Sequence, residues 1–220
     1  MKKLLPAMMV ALVALSALAG AAQAQEKAGD VAAGQKKVAM CIGCHGIPGY
    51  QSSFPEVHKV PKISGQNAKF IASALNAYKK GERKHPTMRG IAETLSEQDI
   101  ADISAYYAQD GGKTEAPAQV AEPSAAVAEL LKRGNCASCH GDNFSKPLDP
   151  SYPKIGGQHA DYLYVALKSY QTERNTAIGR SNAIMAAQAK PFSHAELKLL
   201  ANYIASLPGE LQTRPQSKFR

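Results

Sequence analysis

The chain of 220 residues carries 26 Lys and Arg against 18 Asp and Glu, a formal charge of +8, with four Cys, six Met and no Trp. Such a length permits one domain or two small ones, and domains of under ~100 residues have thin cores unless a metal or other group staples them. No Lys/Arg block is interleaved with aromatics, so no nucleic-acid partner is expected, and the basic surface reads as a solvated face that speeds encounter with an acidic partner or an anionic membrane surface.

Residues 1–24 read as a secretory signal peptide: Met1-Lys2-Lys3, an apolar run from Leu4 to Ala19, then Ala22-Gln23-Ala24 as an A-x-A cleavage site. A retained membrane anchor is the competing reading, but the run is short and broken by Pro6. Cleavage takes Lys2 and Lys3 with it, so +8 becomes +6 and the mature chain starts near Gln25. The expected location is the periplasm. No later apolar run approaches the ~20 residues of a membrane span.

A first unit is expected at 25–110. It carries Cys41-Ile42-Gly43-Cys44-His45-Gly46, then Pro61-Lys62-Ile63-Ser64-Gly65-Gln66, then a helix with Phe70, Ile71, Ala74, Leu75 and Tyr78 on one face. Met88 falls in the loop before a last helix. That helix begins at Ser96-x-x-Asp99, the pattern of a capping box, shows Ile100, Ile103 and Tyr107 on one face, and ends at Gly111. Residues 111–123, small, polar and punctuated by Gly and Pro, read as a linker.

The second unit, 124–220, repeats the first in order and approximate spacing. Cys136-Ala137-Ser138-Cys139-His140-Gly141 is followed by Pro153-Lys154-Ile155-Gly156-Gly157-Gln158 and by a helix with Leu163, Ala166, Leu167 and Tyr170. Met185 lies in the matching loop, and Ser193-x-x-Glu196 opens a helix with Leu197, Leu200 and Ile204 that stops at Pro208-Gly209. A polar basic tail with Arg214, Lys218 and Arg220 closes the chain. No stretch alternates as a strand, so the expected fold class is all-α, one helical unit present twice by internal duplication.

Two thiols three positions apart share one side of a helical turn, where they reach the two vinyl groups of one haem as the following His is held beneath the iron. Two such motifs use every thiol in the chain. A zinc site would need a fourth ligand for each motif, and a thioredoxin-like dithiol a βαβ setting that is absent. The expected cofactors are therefore two covalently bound haem c groups. For the second axial ligand, the exported chain offers only Met40, Met88 and Met185. Met40 adjoins Cys41 and is assigned to core packing. Met88 and Met185 follow His45 and His140 by 43 and 45 residues, and matching places in two repeats argue for matching thioether ligands. His85 competes for the first iron, but Asn182 stands at its place in the second unit. His58, His159 and His194 have no His counterpart and are expected at the surface.

With the two C-x-x-C-H-G motifs, the P-K-I-x-G-Q elements, one Met in each distal loop and the S-x-x-D/E helix starts in view, the chain resembles the cytochrome c4 family nearly end to end. The resemblance implies two tandem class I cytochrome c domains related by an approximate two-fold. It further implies a periplasmic electron carrier, not an enzyme, at the outer face of the inner membrane, between partners such as a membrane quinol-cytochrome c reductase and a terminal oxidase. By resemblance, Cys41, Cys44, His45 and Met88 hold the first haem, Cys136, Cys139, His140 and Met185 the second, and the carbonyls of Pro61 and Pro153 face the axial rings. Two departures stand out. Gly34, where these folds pack helices closely, aligns with Glu129, and the loop from Pro153 to Met185 is five residues longer than that from Pro61 to Met88. A dihaem peroxidase with one open iron and a cytochrome subunit fixed in a larger complex are the alternatives.

Overall fold

The computed structural model describes residues 28–111 and 122–216. The signal peptide expected at 1–24, the bulk of the expected linker, and Lys218 and Arg220 of the tail lie outside these residues.

Helix α1 (Val31–Lys37) starts because the Asp30 side chain accepts from the Ala33 N–H at 2.6 Å. The first unit continues with α2 (Ala39–His45), a hairpin of β1 (Gln51–Ser52) and β2 (His58–Lys59), α3 (Ala68–Lys80), β3 (Arg83–Lys84), α4 (Pro86–Glu93) and α5 (Glu97–Gln109). The second holds α6 (Ala125–Gly134), α7 (Ala137–His140), α8 (Ala160–Gln171), β4 (Gly179–Arg180), α9 (Ala183–Ala189) and α10 (His194–Ser206). Both terminal helices carry the capping box expected of them, Ser96 with Asp99 and Ser193 with Glu196.

Each terminal helix supplies the wall on which its unit packs. Ile100, Ile103 and Tyr107 of α5 meet Ile71 and Leu75 of α3 together with Val38 and Ile42. In the second unit Leu197 and Leu200 pack with Leu130 and Phe192, while Ala201 and Ile204 pack with Leu163 and Phe144. Each large side chain so buried contributes roughly 1.5–3 kcal/mol. Helix α1 crosses α5 so closely that a Cβ on Gly34 would stand 2.1 Å from the Asp102 carbonyl oxygen. Glu129, at the aligned place, is exposed, and α6 makes its contact through Val127 and Leu130.

The all-α expectation holds apart from strands of two residues each, and one pair of these joins the units. Strands β3 and β4 run antiparallel with Arg83 opposite Arg180 and Lys84 opposite Gly179. The P-K-I-x-G-Q elements also face one another: Lys62 Nζ donates to the Gly157 carbonyl at 2.7 Å and Lys154 Nζ to that of Gly65 at 2.9 Å. Gly65, at φ 86°, lies where a Cβ would come within 2.5 Å of the Glu210 carbonyl oxygen.

Three expectations are corrected. Met88 and Met185 lie in the first turns of short helices, α4 and α9, and not in loops. Met40 is 51% exposed, lies outside the buried clusters of the described residues, and lines the cavity that Cys41 and His45 also line. His58 is 4% exposed, because the hairpin that carries it docks on the second unit through Lys59 with Asp161 and Glu56 with Lys168. The described part of the tail returns to the first unit, where Gln212 N–H donates to Ser64 O (3.0 Å), Arg214 Nη1 to Asp110 O (2.9 Å) and Gln216 Nε2 to the Tyr106 hydroxyl (2.7 Å).

Candidate functional site

Helix α2 carries Cys41, Cys44 and His45, and α7 with its N-cap carries Cys136, Cys139 and His140. In both, the ring Nδ1 of the histidine faces a proline carbonyl, His45 to Pro61 at 2.8 Å and His140 to Pro153 at 2.9 Å. A carbonyl only accepts, so Nδ1 bears the proton and Nε2 keeps its lone pair. Burial holds both rings below the usual histidine range, with the proline bond opposing it, so both are neutral at physiological pH. A neutral ring oriented through its second nitrogen is the form in which histidine binds a metal.

Burial pushes the Cys41 thiol up to about 11 and raises that of Cys136. An exchange dithiol requires the opposite shift. Among the described residues no group of three or more His, Cys, Asp and Glu side chains is gathered for a metal, so the zinc alternative finds no completed site.

The two methionines are placed by equivalent caps. The Met88 N–H donates to His85 Nδ1 at 3.4 Å, and the Met185 N–H to Asn182 Oδ1 at 3.0 Å. His85 and Asn182 thus share a structural duty, helix capping, which accounts for their alignment. One cavity of about 1220 Å³ is lined by Cys41, Cys44, His45 and Met88 of the first unit. Cys136, Cys139, His140 and Met185 of the second line the same cavity. Its volume exceeds the ~300–1,000 Å³ of an ordinary single-ligand pocket.

Where the units meet, the cavity wall holds two arginines that the sequence analysis passed over. Arg83 Nη2 donates to the Tyr162 hydroxyl at 2.8 Å and Arg180 Nη2 to the same oxygen at 3.3 Å, while their guanidiniums stand 5.1 and 5.3 Å from the rings of Tyr78 and Tyr170. Neither has a salt bridge to a carboxylate among the described residues, and the Arg83 Nε is buried without a partner. Burial raises the Tyr162 hydroxyl, but the two guanidiniums outweigh it and hold the group below the usual tyrosine range. Buried cations without a counter-ion are costly, so this wall suits a group that is flat and apolar in its body and carries carboxylates at one edge. A porphyrin with propionates has that chemistry, and the residues present fit haem. A signal for the arginines did exist: each precedes its unit's methionine by five residues.

The sequence model of the cytochrome c family matches residues 31–109 and again 124–208. Cytochrome c4 of Pseudomonas aeruginosa is 32% identical over 209 residues, covering 91% of this chain and 98% of that protein. The crystal structure of reduced recombinant cytochrome c4 from Pseudomonas stutzeri superposes with a TM-score of 0.62 at 30% identity, over 82% of this chain and 100% of that one. A thiosulfate dehydrogenase electron acceptor of Thiomonas intermedia is 27% identical over 80% of this chain and 82% of its own length.

Proposed function

Since the chain belongs to the cytochrome c family, among the dihaem cytochromes c4, and binds two covalent haem c groups, we propose that it is a periplasmic electron carrier working at the outer face of the inner membrane. Cys41 with Cys44 and Cys136 with Cys139 would form the thioethers, and His45 with Met88 and His140 with Met185 would hold the two irons. When bound, the haem iron supplies a one-electron ferric/ferrous couple. The proline carbonyls fix the His45 and His140 rings and would raise their basicity toward iron. The caps on Met88 and Met185 hold the thioether-bearing turns, and Arg83 and Arg180 would receive the propionates. Ile71 and Leu75 in the first unit and Leu163 and Ala166 in the second give the cavity apolar lining that would limit water at the irons.

The observation that carries this reading is the duplication of the set: each unit brings the His of its C-x-x-C-H motif and its distal Met to the cavity, His45 with Met88 and His140 with Met185, a pair for each iron that would leave no open position for a substrate. Absorbance spectra of the exported, reduced protein with and without carbon monoxide test it. A c-type spectrum indifferent to the gas is expected; a shift in part of the haem would overturn the closed-iron reading in favour of peroxidase or sensor chemistry.

The donor is a membrane quinol-cytochrome c reductase and the acceptor a terminal oxidase. The likeness to an electron acceptor of thiosulfate dehydrogenase favours a second reading, in which a periplasmic dehydrogenase is the donor. Reduction rates with quinol-reducing membranes and with thiosulfate dehydrogenase distinguish them.

A further inference from the structure

The peptide unit between Pro61 and Lys62 has both of its polar groups engaged, on opposite sides. Its carbonyl accepts from His45 Nδ1 at 2.8 Å, and its N–H donates to Gln158 Oε1 of the other unit at 3.0 Å. The peptide between Pro153 and Lys154 repeats the arrangement: its carbonyl accepts from His140 Nδ1 at 2.9 Å and its N–H donates to Gln66 Oε1 at 2.9 Å. Each glutamine completes the contact by donating its Nε2 to a carbonyl opposite, Gln158 to Lys62 O and Gln66 to Lys154 O, both at 2.9 Å. These backbone partners fix the amide orientation, since an N–H can only donate and a carbonyl only accept. Both glutamines are buried, at 4% and 5% exposure.

A peptide is one conjugated unit, so an acceptor drawing on its N–H increases the negative charge on its oxygen. That oxygen is the acceptor for the axial histidine. A stronger bond at Nδ1–H gives the ring more imidazolate character and makes it a better donor to iron, which favours the ferric state. We propose that Gln158 and Gln66 are positioning residues for the iron of the opposite unit: through the Lys62 and Lys154 peptides they strengthen the bonds that hold His45 and His140, so that the docking of the two units lowers the reduction potential of each haem from across the interface. The inference rests on the reading of His45 and His140 as axial ligands.

The signature is crossed, which distinguishes it from glutamines that merely hold the units together. In the holoprotein, Gln158→Leu removes the acceptor from the Lys62 N–H. The expected result is a rise of about two- to fourfold in the reduction equilibrium constant of the first haem, or ~18–36 mV at ~59 mV per tenfold, with the second haem unmoved. Gln66→Leu is expected to move the second haem and spare the first. Redox titration followed by NMR, which assigns the haems separately, reads both. Gln158→Glu, whose carboxyl still offers an oxygen to Lys62, is expected to bring the first haem back to the parent value or below it. If the leucine variant does not fold, Gln158→Asn, too short to reach, takes its place under the same criterion. Potentials that move together, move in the variant's own unit, or stay fixed overturn the proposal, provided the sulfur-to-iron charge-transfer band is retained in the variants. A parent protein that lacks that band, or whose axial rings are not bound, would overturn the ligand reading and the inference with it.

Discussion

His45, Met88 and their counterparts, the proposed ligands, show how a side chain is set in place by what holds its other end. The Pro61 carbonyl decides which ring nitrogen of His45 is free, and the His85 ring, by accepting from the Met88 N–H, starts the helix that presents the thioether. The second unit reaches the same result with Asn182 as the cap and a shorter bond. Met185→Ala is therefore expected to leave the fold intact and open only the second iron, so that carbon monoxide shifts about half of the haem absorbance; an indifferent spectrum would remove Met185 from the ligand set. The residue types of this site were legible in the sequence because thioether attachment admits few alternatives to C-x-x-C-H. His58 was misplaced because its burial is made by a partner surface over a hundred residues away, through Lys59 with Asp161, and no local pattern records that.

Among the elements, α1 and α5 form the tightest contact, and its chemistry is polar as well as steric. The Asp102 carboxylate, nearly buried, accepts from the Asp30 N–H (2.8 Å), Lys37 Nζ (2.6 Å) and Gln98 Nε2 (2.8 Å), which ties the start of α1 to the middle of α5. Those bonds, the Asp30 N–H first, then the Lys37 ammonium and the Gln98 amide, hold its carboxyl at about 2 against an ordinary 3.8. A depressed folded-state value means the stabilisation is complete above the ordinary carboxylate range and is lost as pH falls from 3.8 toward about 2. Thermal melts across that interval are expected to show a falling Tm, with a shallower slope and a lower neutral-pH Tm in Asp102→Asn. Gly34→Ala forces a Cβ against a backbone carbonyl and is expected to cost about 1–3 kcal/mol, whereas Glu129→Ala, on an exposed face, is expected to stay within ~0.5 kcal/mol. Denaturant titration of the two variants checks the pair. The helices themselves were readable from apolar spacing and capping boxes. The short helices that carry Met88 and Met185 were not, since each is a turn or two long and owes its start to a His or Asn cap.

At the scale of the molecule, the two units are held together by reciprocal contacts and by a tail that crosses back. Removing residues after Leu211 deletes the bonds of Gln212, Arg214 and Gln216 to the first unit. The expected loss is about 1–2 kcal/mol of first-unit stability, read by hydrogen exchange as faster opening near Tyr106 and Asp110 with the second unit unchanged; equal protection in both forms would mean the strap carries no load. The sequence by itself determined the duplication, the all-α class, the haem motifs and the family, because covalent attachment and helical periodicity are written in short-range spacing. Only the tertiary structure decided that the two Cys-Cys-His and Met sets line one cavity, that Arg83 and Arg180 meet there with no carboxylate salt bridge among the described residues, and that Gln66 and Gln158 reach the peptides behind the opposite histidines. Those facts depend on the orientation of one unit against the other, which follows from surfaces distant in the chain and from a bond network that closes only when both are docked.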